Sequence, residues 1–230
     1  SPEKHVDTLV INGAECEPYL TADYREMMEY PEDIVEGTRF VMETLGLKRA
    51  IIGIEGNKPA AIKRLGEIIK ERSLNDRMCV LKLGTSYPHG AEKVLIKACT
   101  NRAVPVGKIP ADAGCVVLNI TSVSFIAKYV RTGMPLVSKR ITVDGSAINE
   151  PKNVIAPIGT MISDIAEFCG GFKQEPKKVL MGGPMMGTAL YTLDYPIIKQ
   201  NNGLIFMGQK EADDVKPSDC IRCGRCVAAC

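Results

Sequence analysis

The first half of the chain alternates strand-like and helix-like patterning, and this is the tightest constraint on its fold. Val6–Ile11 (VDTLVI) is patterned as a buried strand that runs into a Gly/Glu/Pro loop. Pro31–Leu45 follows as a helix, with Pro31 in the first turn and Gly46 as its stop. Arg49–Ile54 is a second strand, and Lys58–Arg72 a helix with apolar residues at Ile62, Leu65, Ile68 and Ile69. Met78–Leu83 is a third strand, Gly90–Cys99 a third helix, and Val116–Thr121 (VVLNIT) a further apolar strand. Such alternation predicts an α/β architecture built on a parallel sheet.

Around Pro135 the pattern changes. Lys139–Val143, an Asp144–Gly145 turn and Val154–Pro157 give two short strands, followed by a helix over Met161–Cys169 with Thr160 as its N-cap and Gly170 as its stop. With Lys178–Met181 these make a compact β-grasp-type module. Gly182–Gly187 (GGPMMG) is a flexible, Met-rich turn, and Gln209–Asp219 a polar linker. The expected division is 1–136 for the α/β domain, 137–175 for the β-grasp module, 176–212 for a return segment and linker, and 213–230 for a cysteine segment.

A net charge of +2 without a basic cluster excludes a nucleic-acid footprint. The apolar runs Cys115–Leu118 and Leu204–Met207 fall far short of a membrane span, so membrane association would have to be peripheral. Of nine cysteines, Cys16, Cys79, Cys99, Cys115 and Cys169 are scattered singly, and scattered cysteines usually pack as small hydrophobes. With no signal-peptide pattern, a reducing cytosolic setting is expected. Ser1 is not an initiator Met, and both ends read as cut.

The other four cysteines carry chemistry. Cys220, Cys223, Cys226 and Cys230 form C-x₂-C-x₂-C-x₃-C, a spacing that arises by chance on the order of 5 × 10⁻⁴ of the time in a chain of this cysteine content. Such crowding suits an iron–sulfur cubane, whose iron corners lie a few Å apart. Zinc is the alternative, but structural zinc sites usually pair two knuckles separated by a dozen or more residues. In two-cluster ferredoxins the fourth cysteine of such a run binds the other cluster. By that reading Cys230 serves a second cluster whose cysteines lie outside this chain, and these residues alone hold a cluster poorly.

Three polar loops follow strands. Asn12–Pro18 (NGAECEP) places Asn12, Glu15 and Glu17 at the carboxyl end of the first strand, where open α/β sheets bind ligands. Carboxylates there accept hydrogen bonds from ribose hydroxyls or ring N–H groups, although a solvated acidic turn is the plainer reading. Tyr87–Glu92 (YPHGAE) brings an aromatic ring, His89, Gly90 and Glu92 to a helix start, and Gly90 permits close approach to the backbone. Asn119 and Thr121 end the fourth strand, where helix capping explains them equally well. No GxGxxG opens a helix, so an ordinary Rossmann dinucleotide site is not supported.

Taken together, VINGAECEPYLTADYREMM, YPHGAEKVLIKA, GKIPADAGCVVLNI, VLMGGPMMG and CIRCGRCVAAC resemble the C subunit of the Rnf electron transport complex, the membrane-associated, ion-pumping ferredoxin:NAD⁺ oxidoreductase. More distantly the chain is similar to the NADH-binding flavoprotein subunit of complex I. In that subunit the flavin loop reads NADE-x-EP and a second motif reads Tyr-x-x-Gly-Glu-Glu. Ala14 and Ala91 depart from those patterns. The resemblance implies a Rossmann-like FMN/NADH domain, a β-grasp ligand-binding module and the start of a ferredoxin-like 4Fe-4S segment. It implies that Asn12, Glu15, Gly90 and Asn119 line an FMN pocket and that Glu17, Tyr87 and Glu92 face NADH. It also puts the glycine-rich phosphate-binding segment upstream of Ser1, and makes the fragment itself inactive.

The cofactors implied are FMN, NAD(H) and two 4Fe-4S clusters in the intact protein. The implied partners are the other Rnf subunits and, indirectly, ferredoxin, at the cytoplasmic face of the membrane. A cobalamin-reductase-type flavoprotein of a microcompartment and a non-catalytic, cluster-bearing adaptor are the alternative readings.

Overall fold

Thr8–Gly13 (β1) is buried along almost its whole length, as a strand covered by helices on both faces must be. In the computed structural model, which describes residues 5–212 and 217–229, the chain then forms helices α1 (Ala22–Glu29) and α2 (Pro31–Thr44). Strand β2 (Arg49–Glu55), helix α3 (Pro59–Glu71), strand β3 (Met78–Leu83) and helix α4 (Glu92–Thr100) come next. Strand β4 (Cys115–Asn119) and helix α5 (Ile120–Thr132) complete the first unit. The four strands pair in parallel in the order β3-β2-β1-β4.

Alternation along β1 distributes its side chains. Leu9 and Ile11 pack on one face with Met27, Ile34, Leu65 and Val123 from the flanking helices. Val10 and Ile51 turn to the other, where Leu95 and Cys99 of α4 cover them. On the first face α2 lies hard against α5. A Cβ on Gly37 would sit 2.7 Å from the carbonyl carbon of Val123, so only glycine allows that approach. The chain steps from β1 to β3 in one direction and then returns to put β4 beside β1. The carboxyl ends of β1 and β4 are therefore the switch point of the sheet.

The second unit runs through β5 (Ser138–Asp144), β6 (Lys152–Pro157), α6 (Ile162–Phe168), β7 (Lys178–Met181), β8 (Thr188–Leu190) and β9 (Gly203–Met207). Its sheet order is β6-β5-β9-β7-β8, with β5 and β9 parallel and the other pairs antiparallel. Helix α6 packs Ile162, Ile165 and Ala166 onto Val143 and Phe206. A short helix, α7 (Arg225–Ala229), lies within the cysteine run.

The α/β class, the parallel sheet and the β-grasp arrangement follow the sequence expectation, with four differences. Helix α1 is absent from that expectation, because it buries only Ala22, Glu26 and Met27 and shows no apolar stripe. Gly203–Met207 is a fully buried central strand, so the segment 176–212, where Lys178–Met181 is the one strand expected, supplies three strands of the second sheet. Val116–Thr121 ends as a strand at Asn119, which caps α5 by accepting from Thr121 N–H at 2.8 Å. Met161, not Thr160, is the N-cap of α6, and the Thr160 hydroxyl donates to the Pro157 carbonyl instead.

The two units meet along α1. Glu26 is buried and accepts from the Ser124 hydroxyl, from Lys128 Nζ (2.9 Å) and from Arg140 Nε of β5 (3.3 Å). Arg140 also pairs with Glu29, and its side chain is only 9% exposed. Lys128 lies 3.6 Å from the Tyr30 ring centroid, in cation–π range. Removing one partner of a buried ion pair leaves the other charge uncompensated, whereas an exposed pair contributes little. Arg140→Leu leaves Glu26 its Lys128 partner and Glu29 its Arg25 partner, so it is expected to lower the unfolding free energy by about 2 kcal/mol in urea denaturation. Arg25→Ala, which breaks the exposed pair with Glu29, should change it by less than about 0.5 kcal/mol.

Candidate functional site

The loops that leave β1, β2 and β3 at their carboxyl ends enclose a cleft of about 440 Å³. Glu15, Cys16, Glu17, Pro18, Thr21 and Tyr24 form one side. Glu55, Asn57 and Lys58 come from the β2–α3 turn, and Thr85, Ser86 and Tyr87 from the loop after β3. The cleft lies beside the switch point, because α1 starts there and Asp23 accepts from Asn119 Nδ2 at 2.9 Å across it.

Each carboxylate of the acidic loop has a structural partner. Glu15 accepts the backbone N–H groups of Asp23 (2.8 Å) and Tyr24 (3.2 Å), and so caps α1 from outside the helix. Thr21, the residue at the N-cap position, makes no side-chain capping bond. Glu17 accepts the N–H groups of Met185 and Met186 from the GGPMMG turn of the second sheet. Asn12 donates to the Gly90 carbonyl at 2.9 Å and accepts from Ala14 N–H, tying the acidic loop to the loop after β3.

That tie explains Gly90. A Cβ there would lie 2.6 Å from the Ala14 carbonyl oxygen and 3.0 Å from Cys16 Sγ, so the close approach that glycine permits is between two loops of the protein. Tyr87 is exposed at the cleft rim, while Glu92 is exposed in the first turn of α4. Among the seven residues expected to meet cofactor, Glu15, Glu17 and Tyr87 line the cleft, and Asn12, Gly90, Glu92 and Asn119 do not.

The sequence marks Lys58 only as a helix start. Its Nζ pairs with Glu55 at 2.9 Å and reaches the Glu15 carbonyl at 3.4 Å, with the Glu55 side chain 3% exposed. The Met185–Met186 turn is likewise unreadable as a site element, since its link to Glu17 spans the two units. The lining suits a ligand rich in hydroxyl and N–H groups, because carboxylates offer acceptors. It does not by itself suit a phosphate, since Lys58 is the one cation of the described lining and is already paired.

The cysteine run is placed only in part. Cys220, Cys223 and Cys226 are exposed free thiols, and Cys230 lies outside the described residues. Arg222 and Gly224 adopt positive φ (54° and 73°), and Arg222 N–H donates to Cys220 Sγ at 3.4 Å, a turn that curls the backbone around a sulfur. Thiolates of this spacing fit iron by donor chemistry. Among the described residues, however, no three His, Cys, Asp or Glu side chains come together as a metal-holding group.

A parallel-sheet unit with an acidic cleft at its strand ends, joined to a β-grasp sheet, defines a class. The chain belongs to the family of the Nuo51 FMN-binding domain, whose family model matches residues 1–128, and an SLBB domain model matches residues 140–189. It is 48% identical over 229 residues to the C subunit of the proton-translocating ferredoxin:NAD(+) oxidoreductase complex of Clostridium ljungdahlii, covering 100% of this chain and 49% of that protein. The counterpart from the Na(+)-translocating complex of Acetobacterium woodii is 43% identical, with 100% and 51% covered. The C subunit of the ion-translocating oxidoreductase complex of Rhodobacter capsulatus is 42% identical, with 97% and 43% covered. The chain thus spans about half the length of these curated relatives. In fold it is similar to the crystal structure of an NAD⁺-reducing nickel–iron hydrogenase in the hydrogen-reduced state, with a TM-score of 0.69, 20% identity, and 87% of this chain and 40% of that one covered.

Burial raises the pKa of Glu15 from 4.5 to about 7, and the Asp23 charge adds to the rise against the Asp23 N–H and Lys58. Asp23 is raised too, again first by burial. Folded Glu15 therefore holds its proton more tightly than the unfolded chain does. The stability that this group contributes is greatest below pH 4.5, falls as the pH rises through the interval up to about 7, and is flat above it. Glu15→Gln removes that slope but gives up one acceptor for the α1 N–H groups. A gain of about 2 kcal/mol at pH 8 and almost none at pH 4 is expected from denaturation at the two pH values.

Proposed function

We propose that this chain is the nucleotide-handling part of an electron-transfer subunit that passes electrons between NAD(H), a flavin and 4Fe-4S clusters. The whole assembly would be a membrane-associated, ion-pumping ferredoxin:NAD⁺ oxidoreductase. The observation that carries the reading is the acidic cleft at the carboxyl ends of β1, β2 and β3 in a chain of the Nuo51 FMN-binding family. The relatives' membership of ferredoxin:NAD(+) oxidoreductase complexes supports the wider assignment.

A flavin held in this cleft would supply the exchange between a two-electron hydride and single electrons. The residues of the chain bind and orient. Glu15 and Glu17 offer acceptors to sugar hydroxyls and ring N–H groups, and Tyr87 offers an aromatic face at the rim. Asn12, Gly90 and Asn119 act one layer back, by fixing the acidic loop, the opposing loop and the start of α1. Glu92 sits at the start of α4, beyond the cleft lining. Lys58 offsets the charge of Glu55 and so keeps the acidic floor from repelling a nucleotide.

Cys220, Cys223 and Cys226 would ligate one cluster and Cys230 a second, carrying single electrons away from the cleft. We place the protein at the membrane through its partner subunits, on the cytoplasmic face. Among the described residues no helix is long and apolar enough to cross a membrane. Anaerobic purification of the full-length protein tests the reading. Acid-extractable flavin that NADH bleaches is expected, with about eight irons and eight sulfides per chain. A protein free of flavin and unable to oxidise NADH with an artificial acceptor would contradict it.

A further inference from the structure

The GGPMMG turn of the second sheet touches the cleft through a single carboxylate. Met185 N–H donates to Glu17 Oε2 at 2.9 Å and Met186 N–H to Oε1 at 2.8 Å, so both oxygens are held by one turn. The glycines make that grip possible. A Cβ on Gly183 would lie 2.6 Å from Glu17 Cδ, and one on Gly187 would lie 2.9 Å from the Gly182 carbonyl carbon. The turn is itself fixed by β7, which leads into it, and by the Gly182 N–H bond to the Gly203 carbonyl at 2.7 Å.

We propose that this turn is a positioning element for the nucleotide cleft: Met185 and Met186 orient the Glu17 carboxylate before ligand arrives. An ionised carboxylate has about four lone-pair sites, and two amides occupy two of them. The others remain for the paired hydroxyls of a ribose. A free glutamate side chain would have to give up its rotamer freedom on binding, whereas one clamped by two charge-assisted bonds has already done so. The second unit is then a part of the binding site and not only a scaffold beside it. The inference rests on the reading that a nicotinamide nucleotide enters this cleft.

Its test uses the full-length, flavin-loaded protein. Gly183→Ala sets a methyl against the Glu17 carboxylate and so parts it from the turn, while every cleft side chain keeps its chemical identity. It should raise KM for NADH about tenfold with kcat for an artificial acceptor within about twofold. The Met185 and Met186 amides should exchange hydrogen faster in the variant. Faster exchange with an unchanged KM would overturn the proposal. A second measurement needs no variant: NADH added to the unaltered protein should slow exchange at those two amides, and acceleration there would mean that nucleotide displaces the turn, which also overturns it. If the unaltered protein neither binds nor oxidises NADH, the functional reading fails and this one falls with it. Normal NADH oxidation with an indifferent turn sinks this proposal alone.

Discussion

The structure depends on how one short acidic loop, Glu15 to Thr21, is satisfied. Its polar groups are met from two directions. Glu15 reaches back to the first N–H groups of α1, while Glu17 takes two N–H groups from the second sheet. Tyr19, held at a positive φ of 70°, donates its hydroxyl to Glu211 just beyond β9. Leu20 is buried against Leu180, Ile205 and Met207. Thr21 receives Asn153 Nδ2 on its hydroxyl and donates its own N–H to Thr142. The loop is the seam between the two units as well as the wall of the cleft, so neither role can change without the other.

Helix α1 links this seam to the rest of the interface. Its first turn is capped by Glu15, and its middle and end carry Glu26 and Glu29 to Arg140. Among the described residues no buried side-chain nitrogen or oxygen lacks a partner, although the seam concentrates carboxylates. Such networks hold one geometry firmly, because a half-satisfied member in low dielectric costs more than the bond it loses. The Glu15 carboxyl, raised by burial to about 7, shows the tension that remains where the loop faces the cleft.

How much of this is legible in the sequence follows from the range of each interaction. β1, β2 and β3 and the helices α2, α3 and α4 announce themselves by local periodicity and by Pro and Gly near their ends. The acidic loop is legible at a strand end for the same local reason. Helix α1 escapes because it buries only two apolar side chains, Ala22 and Met27, beside a buried Glu26, and its cap comes from a glutamate six residues before Thr21. β9 escapes because a five-residue apolar run carries no sign of which sheet it joins. The roles of Glu17 and Gly90 are beyond reach, since each partner lies far along the chain. Family resemblance points to those residues without showing that protein groups already engage them.

A structure of the intact protein with NADH bound tests most directly the proposal that the second sheet and α1 build the acidic wall in advance of any ligand. Nucleotide density is expected against Glu17 and Tyr87, with the Met185 and Met186 amides still on the carboxylate and the loop backbone moved by less than about 1 Å. A turn swung clear of Glu17, or a loop shifted by more than about 2 Å to admit the nucleotide, would contradict a wall built in advance.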